Sequence, residues 1–297
     1  MINQFGGSWT ERKMEIVVAY AKAYLTIMQA QAWAKTLYFD GFAGSGSIVD
    51  EDVKEISLHK DLWEEWTESE EEIKKGTALR ILEIVQPKPF DMYYFVEKNE
   101  AHQRELKAQV ATKFPSRNTH VVPGDCNEKL IKMAGFLKEN REYRALAFID
   151  PYGMSVNWSS IEALKGLGVD LWILVPTGVG ANRVLVNDGN IPEAWLCKLE
   201  AFLRIGREEI KKQFYKEIKM ASLFGDGEQT LMAKEKDAVN KLGKLYSARL
   251  KEVFTYVSEP FVMRNSMNSI MYHFMMATNN TAALRIANDV IKPKYKI

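Results

Sequence analysis

Between residues 37 and 175 five short apolar runs alternate with four segments of helical periodicity, and this alternation constrains the 297-residue chain more than any other feature. The apolar runs begin at Leu37 and continue with Met92 to Val96, His120 to Val122, Ala145 to Ile149 and Leu171 to Val175. Helices are expected from Ala78 to Val85, Asn99 to about Phe114, Asn127 to Glu139 and near Ser159 to Leu164, the last with an S-x-x-E cap. Strands joined by crossover helices run parallel, and the helices cover both faces of their sheet. Ligands then bind beyond the carboxyl ends of the strands. A longer helix precedes the first strand. Ser8 and Glu11 form its capping box, and Ile16, Tyr20, Tyr24 and Ile27 fall on one face.

The rhythm stops after Pro176-Thr177-Gly178. Residues 183–251 show helical patterning with no convincing strand, which suits a helical cap inserted over the site. Two strands follow, Val253 to Val262 and Ile270 to Ala277, joined by the turn Arg264 to Asn268, and a helix from Thr281 to Val290 closes the chain. Such a closing hairpin implies an antiparallel edge, where Pro260 is tolerated. The expected architecture is α/β: a Rossmann-like, mostly parallel seven-stranded sheet with an antiparallel last strand. Residues 1–182 and 252–297 form this core, with an acidic insertion at 48–75 and the cap at 183–251.

The first strand runs into Leu37-Tyr-Phe-Asp-Gly-Phe-Ala-Gly-Ser-Gly-Ser47. Gly41, Gly44 and Gly46 allow a tight turn and close approach to a ligand, with Phe42 and Ala43 between them. Dinucleotide fingerprints place glycine directly after the strand to receive a pyrophosphate. Here Asp40 comes first, which suits a ligand bearing an ammonium group. At the end of the second strand, Glu97 can accept both ribose hydroxyls of an adenosine, with Lys98 beside it. After the third, Asp125 can accept from an adenine amine or cap the next helix together with Glu128; both readings stand, and one carboxylate can do both. Cys126 adjoins that pocket, and nothing nearby favours a reactive thiolate.

The fourth strand ends in Phe148-Ile-Asp-Pro-Tyr-Gly153. A carboxylate and a backbone carbonyl that accept the two protons of an exocyclic amine free its lone pair for reaction, and an aromatic ring can stack on the unpaired base. Asp150 is the acceptor in this reading, Pro151 shapes the turn, and Tyr152 is the stacking platform. The same four residues also make an ordinary turn. Arg183, above the fifth strand end, can pair with a phosphate or with an acid of the cap.

Composition narrows the partners. The formal net charge is +1, so no overall charge draws the chain to nucleic acid. The charge is nonetheless segmental: eleven acids against four lysines between Asp50 and Lys75, and twelve Lys or Arg against seven acids between Phe202 and Lys251. The basic segment, with Phe214 and Tyr215, is a candidate for weak, salt-sensitive contact with a phosphate backbone. Two distant cysteines and four scattered histidines give no metal site, and His273 reads as a sheet residue. The absence of a long apolar run or basic-apolar leader gives a cytoplasmic expectation with no membrane partner.

Asp40-Gly-Phe-Ala-Gly-Ser-Gly46 resembles motif I of the S-adenosylmethionine-dependent methyltransferases, and Asp150-Pro-Tyr resembles the (Asp/Asn/Ser)-Pro-Pro-(Tyr/Phe) motif of amino-methyltransferases, less its second proline. The tyrosine therefore sits one place early, which leaves the target atom open. Lys13, the Ala-Tyr-Leu-Thr-Ile of 23–27, Phe39-Asp-Gly-Phe-Ala-Gly44, Phe95-Val-Glu97, Phe148 to Gly153 and Leu171 to Gly178 with Asn182-Arg183, taken in order, resemble the three-Cys-motif partner family. Ser45 stands where that family carries proline. The resemblance implies a class I methyltransferase fold, S-adenosyl-L-methionine as cofactor, and a partner protein bearing a three-cysteine motif. Two functions follow. One is methyl transfer to a base amine of DNA or RNA. The other is a binding subunit that docks the partner without catalysis, with Trp63 and Trp66 of the acidic insertion as a docking surface.

Overall fold

The computed structural model describes residues 8–44, 76–221, 228–265 and 267–292. The acidic insertion, Trp63, Trp66 and Gly46 lie outside them. Helix α1 (Ser8–Gln29) leads into β1 (Lys35–Asp40), and α2 spans 76–82. Then come β2 (Met92–Glu97), α3 (Glu100–Lys113), β3 (Thr119–Pro123), α4 (Cys126–Glu139), β4 (Tyr143–Ile149), α5 (Trp158–Glu162) and β5 (Val169–Val175). The five strands are parallel and ordered β3-β2-β1-β4-β5. This is the doubly wound Rossmann-like order, and the connections reverse direction between β1 and β4.

Both faces of the sheet are covered, which is why its strands read as nearly unbroken apolar runs. Alternation along β1 sends Leu37 and Phe39 to one buried cluster and Tyr38 to the other. Tyr38, Phe148, Trp172 and Phe274 meet the apolar stripe of α1, with Tyr20 edge-on to Trp172 at 5.3 Å between ring centres. The opposite face carries α4 and α5.

Beyond β5 the chain forms a π-turn (Thr177–Ala181), in which the Pro176 carbonyl accepts from both Gly180 and Ala181 at 3.1 and 3.0 Å. Next are α6 (Asn182–Val184), α7 (Glu193–Leu203), α8 (Arg207–Phe214), β6 (Tyr215–Ala221), β7 (Glu228–Lys234) and α9 (Ala238–Val253). The segment expected to be wholly helical thus contains an antiparallel β-hairpin, Tyr215 opposite Lys234. Its charge-rich alternation, Tyr-Lys-Glu-Ile-Lys, reads as a solvated helix unless the partner strand is known. The segment is also packed onto the sheet. Leu199, Phe202, Phe214, Leu242, Tyr246 and Leu250 share one buried cluster with Leu171, Ile173 and Met275 of the sheet.

The strand expected over Val253 to Val262 is interrupted. Helix α9 runs to Val253, and β8 (Tyr256–Val257) and β9 (Phe261–Arg264) flank Pro260, which has no N–H to donate. Both pair with β10 (Ile270–Thr278), which is antiparallel to β5 and gives the expected antiparallel last strand. The sheet counts eight strands because one edge is split in two. Helix α10 (Thr281–Ile291) returns to pack beside α1. The S-x-x-E cap expected at Ser159 is absent: α5 begins after Asn157, and the neighbouring Ser160 hydroxyl donates to Asn127 at 2.8 Å.

Candidate functional site

The carboxyl ends of β3, β2, β1 and β4 lie side by side, and each carries a carboxylate. At the end of β1, Asp40 is 1% exposed and its Oδ1 accepts the Phe42 amide at 3.1 Å, closing a turn on itself. Backbone bonds then stitch the turn to both neighbours. Gly41 donates to the Phe148 carbonyl at 3.0 Å and Ala43 to the Val96 carbonyl at 2.9 Å. Gly44 adopts φ +67°, a left-handed conformation that favours glycine.

The close approach at Gly41 is to the protein itself. A Cβ there would lie 2.5 Å from Cys126 Sγ and 2.7 Å from Ile149 Cδ1. Cys126 is buried beneath the turn, where burial and then Asp125 and Asp40 push its thiol pKa well up, so it acts as packing.

Glu97, half-buried at the end of β2, accepts the Gly44 amide through Oε2 at 2.8 Å and the Asn99 amide through Oε1 at 2.9 Å. Lys98 beside it is exposed. Asp125 is the cap of α4, accepting the Asn127 amide through Oδ1 at 2.8 Å. Asn127 ties the loop after β4 into place. Its Nδ2 donates to the Ser155 carbonyl at 2.9 Å, and its Oδ1 accepts the Asn157 amide at 2.7 Å.

At the end of β4, Asp150 is 3% exposed, and its Oδ2 accepts from Lys13 Nζ at 2.7 Å. This buried ion pair joins α1 to the loop that carries the Asp-Pro-Tyr sequence. Pro151 is buried too, whereas Tyr152 is 61% exposed. The ring of Tyr152 stands edge-on to Phe42 at 6.4 Å, so the loops after β1 and β4 meet across the seam where the sheet order reverses.

Beyond β5, Thr177 Oγ1 lies 2.8 Å from His273 Nδ1, both buried. Burial, and secondarily Arg264, lowers the His273 pKa to about 4, which keeps the ring neutral and supports its reading as a sheet residue. Arg183 is exposed on α6.

Among the expected residues, Asp40 to Gly44, Glu97, Asp125 and Cys126 converge around one turn, and Asp150 to Tyr152 adjoin it. Lys13 was legible as a member of a resemblance but not as a site residue. The signal was present: Lys13 lies three residues before Ile16 and seven before Tyr20, on the apolar stripe of α1, where a lysine demands a buried carboxylate. Phe214 and Tyr215, expected beside a phosphate backbone, are 0% and 5% exposed and belong to the core. Much of the basic surplus of that segment is paired: Arg204 with Glu162, Arg207 with Glu193 and Glu200 at 3.0 and 3.3 Å, Lys241 with Glu235 at 3.3 Å and Arg249 with Glu252 at 2.7 Å. Among the described residues no cluster of His, Cys, Asp and Glu could hold a metal ion, and no helix is long and apolar enough to cross a membrane.

No protein-family model matches the chain, and no curated protein sequence matches it. Solved structures similar to it include the putative methyltransferase yhhF from Escherichia coli, at 13% identity over 72% of this chain and 83% of that one, with a TM-score of 0.27. A protein from Legionella pneumophila is 16% identical over 93% of this chain and 98% of that one, with a TM-score of 0.39. Trm1 from Pyrococcus horikoshii, in complex with S-adenosyl-L-methionine, is 11% identical over 88% of this chain and 62% of that one, with a TM-score of 0.35. The fold assignment rests on the strand order and direction described above.

Proposed function

We propose that the chain is an S-adenosylmethionine-dependent methyltransferase whose acceptor is an amine of a nucleic-acid base. The observation that carries this reading is the row of carboxylates on adjacent strand ends, Asp40, Glu97 and Asp125, around a turn of glycines at the point where the sheet order reverses. The donor set fits the proposed cofactor: an acid for the ammonium of its methionine part, an acid for the ribose hydroxyls, and an acid for the adenine amine. Asp125 Oδ2 has no partner among the described residues and can accept that amine while Oδ1 caps α4. The bound cofactor would supply an electrophilic methyl group on a sulfonium.

The chain's own residues do the rest. Tyr152 offers an exposed ring beside Phe42 on which a base can stack, and the buried Pro151 fixes its direction. Asp150 provides the carboxylate next to that platform. Arg183 is the candidate contact for a backbone phosphate. The pairing of cap cations with acids predicts weak, salt-sensitive binding of nucleic acid.

One observation favours the alternative of a binding subunit that docks a three-cysteine-motif partner: Asp150 is buried and already held by Lys13. The two readings part on transfer of label from methyl-tritiated S-adenosylmethionine to denatured RNA and DNA. A transferase labels one of them and loses that activity in Tyr152→Ala and Asp150→Asn. A docking subunit labels neither.

A further inference from the structure

We propose that a cavity beneath the carboxyl-terminal half of α1 binds a small aliphatic amino acid, at a site separate from the one described above. The cavity has a volume of about 210 Å³ and lies between that half of α1, the first turns of α10 and the ends of β4, β5 and β10. Arg144 and Asp170 line it from the amino ends of β4 and β5, so it is at the opposite end of the sheet from the row of carboxylates. It holds many times the room that one bridging water needs.

Tyr24 indicates that a partner belongs in this space. The residue lines the cavity and is 7% exposed, and its buried hydroxyl has no hydrogen-bond partner among the described residues. Buried hydroxyls are normally paired, because leaving one unpaired forfeits its hydration without return. Burial and then Asp170 push the Tyr24 pKa well up, while Arg144 lowers it, so an acid and a guanidinium both act on this hydroxyl.

The acid and the guanidinium are not spent on each other. Asp170 accepts the Tyr20 hydroxyl through Oδ2 at 2.7 Å and the Thr278 hydroxyl through Oδ1, and no cation pairs with it among the described residues. Arg144 is held from behind. Its guanidinium lies 4.6 Å from the centre of the Trp33 ring, and Nη1 donates to the Arg141 and Tyr143 carbonyls at 2.7 and 2.9 Å. Its Nε and Nη2 have no hydrogen-bond partner among the described residues. Gly168 leaves space for this arm, since a Cβ there would lie 2.8 Å from Arg144 Nε.

These groups select the ligand by its chemistry. A carboxylate alone would suit Arg144 and Tyr24 but face the charge of Asp170, and an amine alone would suit Asp170 but face Arg144. A molecule carrying both satisfies all three: its carboxylate accepts from Arg144 and from the Tyr24 hydroxyl, and its ammonium donates to Asp170. Ile27, Met28 and Ile286 also line the cavity and suit a short aliphatic side chain.

The test is ligand-observed NMR titration of the full chain with leucine, with isoamylamine, which lacks the carboxylate, and with isocaproate, which lacks the ammonium. Leucine should bind about tenfold or more tighter than either analogue. Tyr24→Phe removes only an unpaired hydroxyl, so it should fold as wild type does and still weaken leucine about fivefold. Arg144→Met should weaken leucine about tenfold or more and abolish its preference over isoamylamine. Asp40→Asn, at the other end of the sheet, should leave leucine binding unchanged. Four outcomes each overturn the proposal: no binding of leucine to wild type at millimolar concentration, an analogue that binds as tightly as leucine, wild-type affinity in Tyr24→Phe, or loss of leucine binding in Asp40→Asn.

Discussion

The Gly44 amide donates to Glu97 Oε2 at 2.8 Å, so the acid proposed for the ribose also ties the glycine turn to the end of β2. Its other oxygen accepts the Asn99 amide at 2.9 Å, at the start of α3. Glu97→Ala should therefore cost stability as well as affinity, about 1–3 kcal/mol for two half-buried amides left without their acceptor. Glu97→Gln, which keeps one accepting oxygen, should cost less stability and still weaken the cofactor. Urea denaturation beside ligand titration separates the two effects. Equal stability of Glu97→Ala and wild type would contradict the tether.

At Gly41 the turn meets Cys126 and Ile149, not open space. Gly41→Ala should destabilise the fold by about 1–3 kcal/mol through overpacking. Part of that loss should return in Gly41→Ala/Cys126→Ala, because removing Sγ opens the space the new methyl needs. A double-mutant cycle in denaturant measures the coupling, and strict additivity would show that the two side chains do not compete.

The ion pair of Lys13 and Asp150 makes an asymmetric prediction. Lys13→Met leaves a carboxylate buried without its cation and should cost roughly 3–5 kcal/mol, whereas Lys13→Met/Asp150→Leu should recover most of that loss. Equilibrium unfolding of both variants decides it; a single variant as stable as wild type would mean that Asp150 is not sequestered.

His273 gives the pH dependence. Its pKa in the folded protein is lowered to about 4 by burial and Arg264, from an ordinary value near 6.5, so the unfolded chain binds the extra proton between these limits. The stability that depends on neutral His273 is complete above pH ~6.5 and is lost as the pH falls toward ~4, on the order of 3 kcal/mol in total. His273→Gln should flatten this part of the stability profile. An unchanged slope between those pH values would exclude His273 as its source.

The core elements were legible because periodicity and turn chemistry agree along them. Met92 to Val96, Ala145 to Ile149 and Leu171 to Val175 are continuous apolar runs bounded by breakers, and each is a strand within two residues of its expected limits. The hairpin of β6 and β7 was not legible, since its residues alternate without an apolar face and its pairing is set by contact with a partner strand. The split at Pro260 shows a residue that cannot donate to the ladder interrupting a segment read as one strand.

In the site, the acids at the strand ends could be read from position alone. The cap role of Asp125 was among the readings that position allowed; what position could not reveal is that Glu97 also holds the Gly44 amide and that Asp150 is paired with a lysine distant in sequence. The partners distant in sequence, Gly44 for Glu97 and Lys13 for Asp150, are set by tertiary packing, so Lys13 took its meaning only once α1 lay against β4.

The most direct test of the central claim is calorimetric titration of the purified chain with S-adenosylmethionine and S-adenosylhomocysteine, alongside Asp40→Asn and Glu97→Gln. Wild type should bind both at micromolar concentration, about tenfold or more tighter than either variant, with both variants folded. Folded wild-type protein that binds neither ligand would contradict the claim.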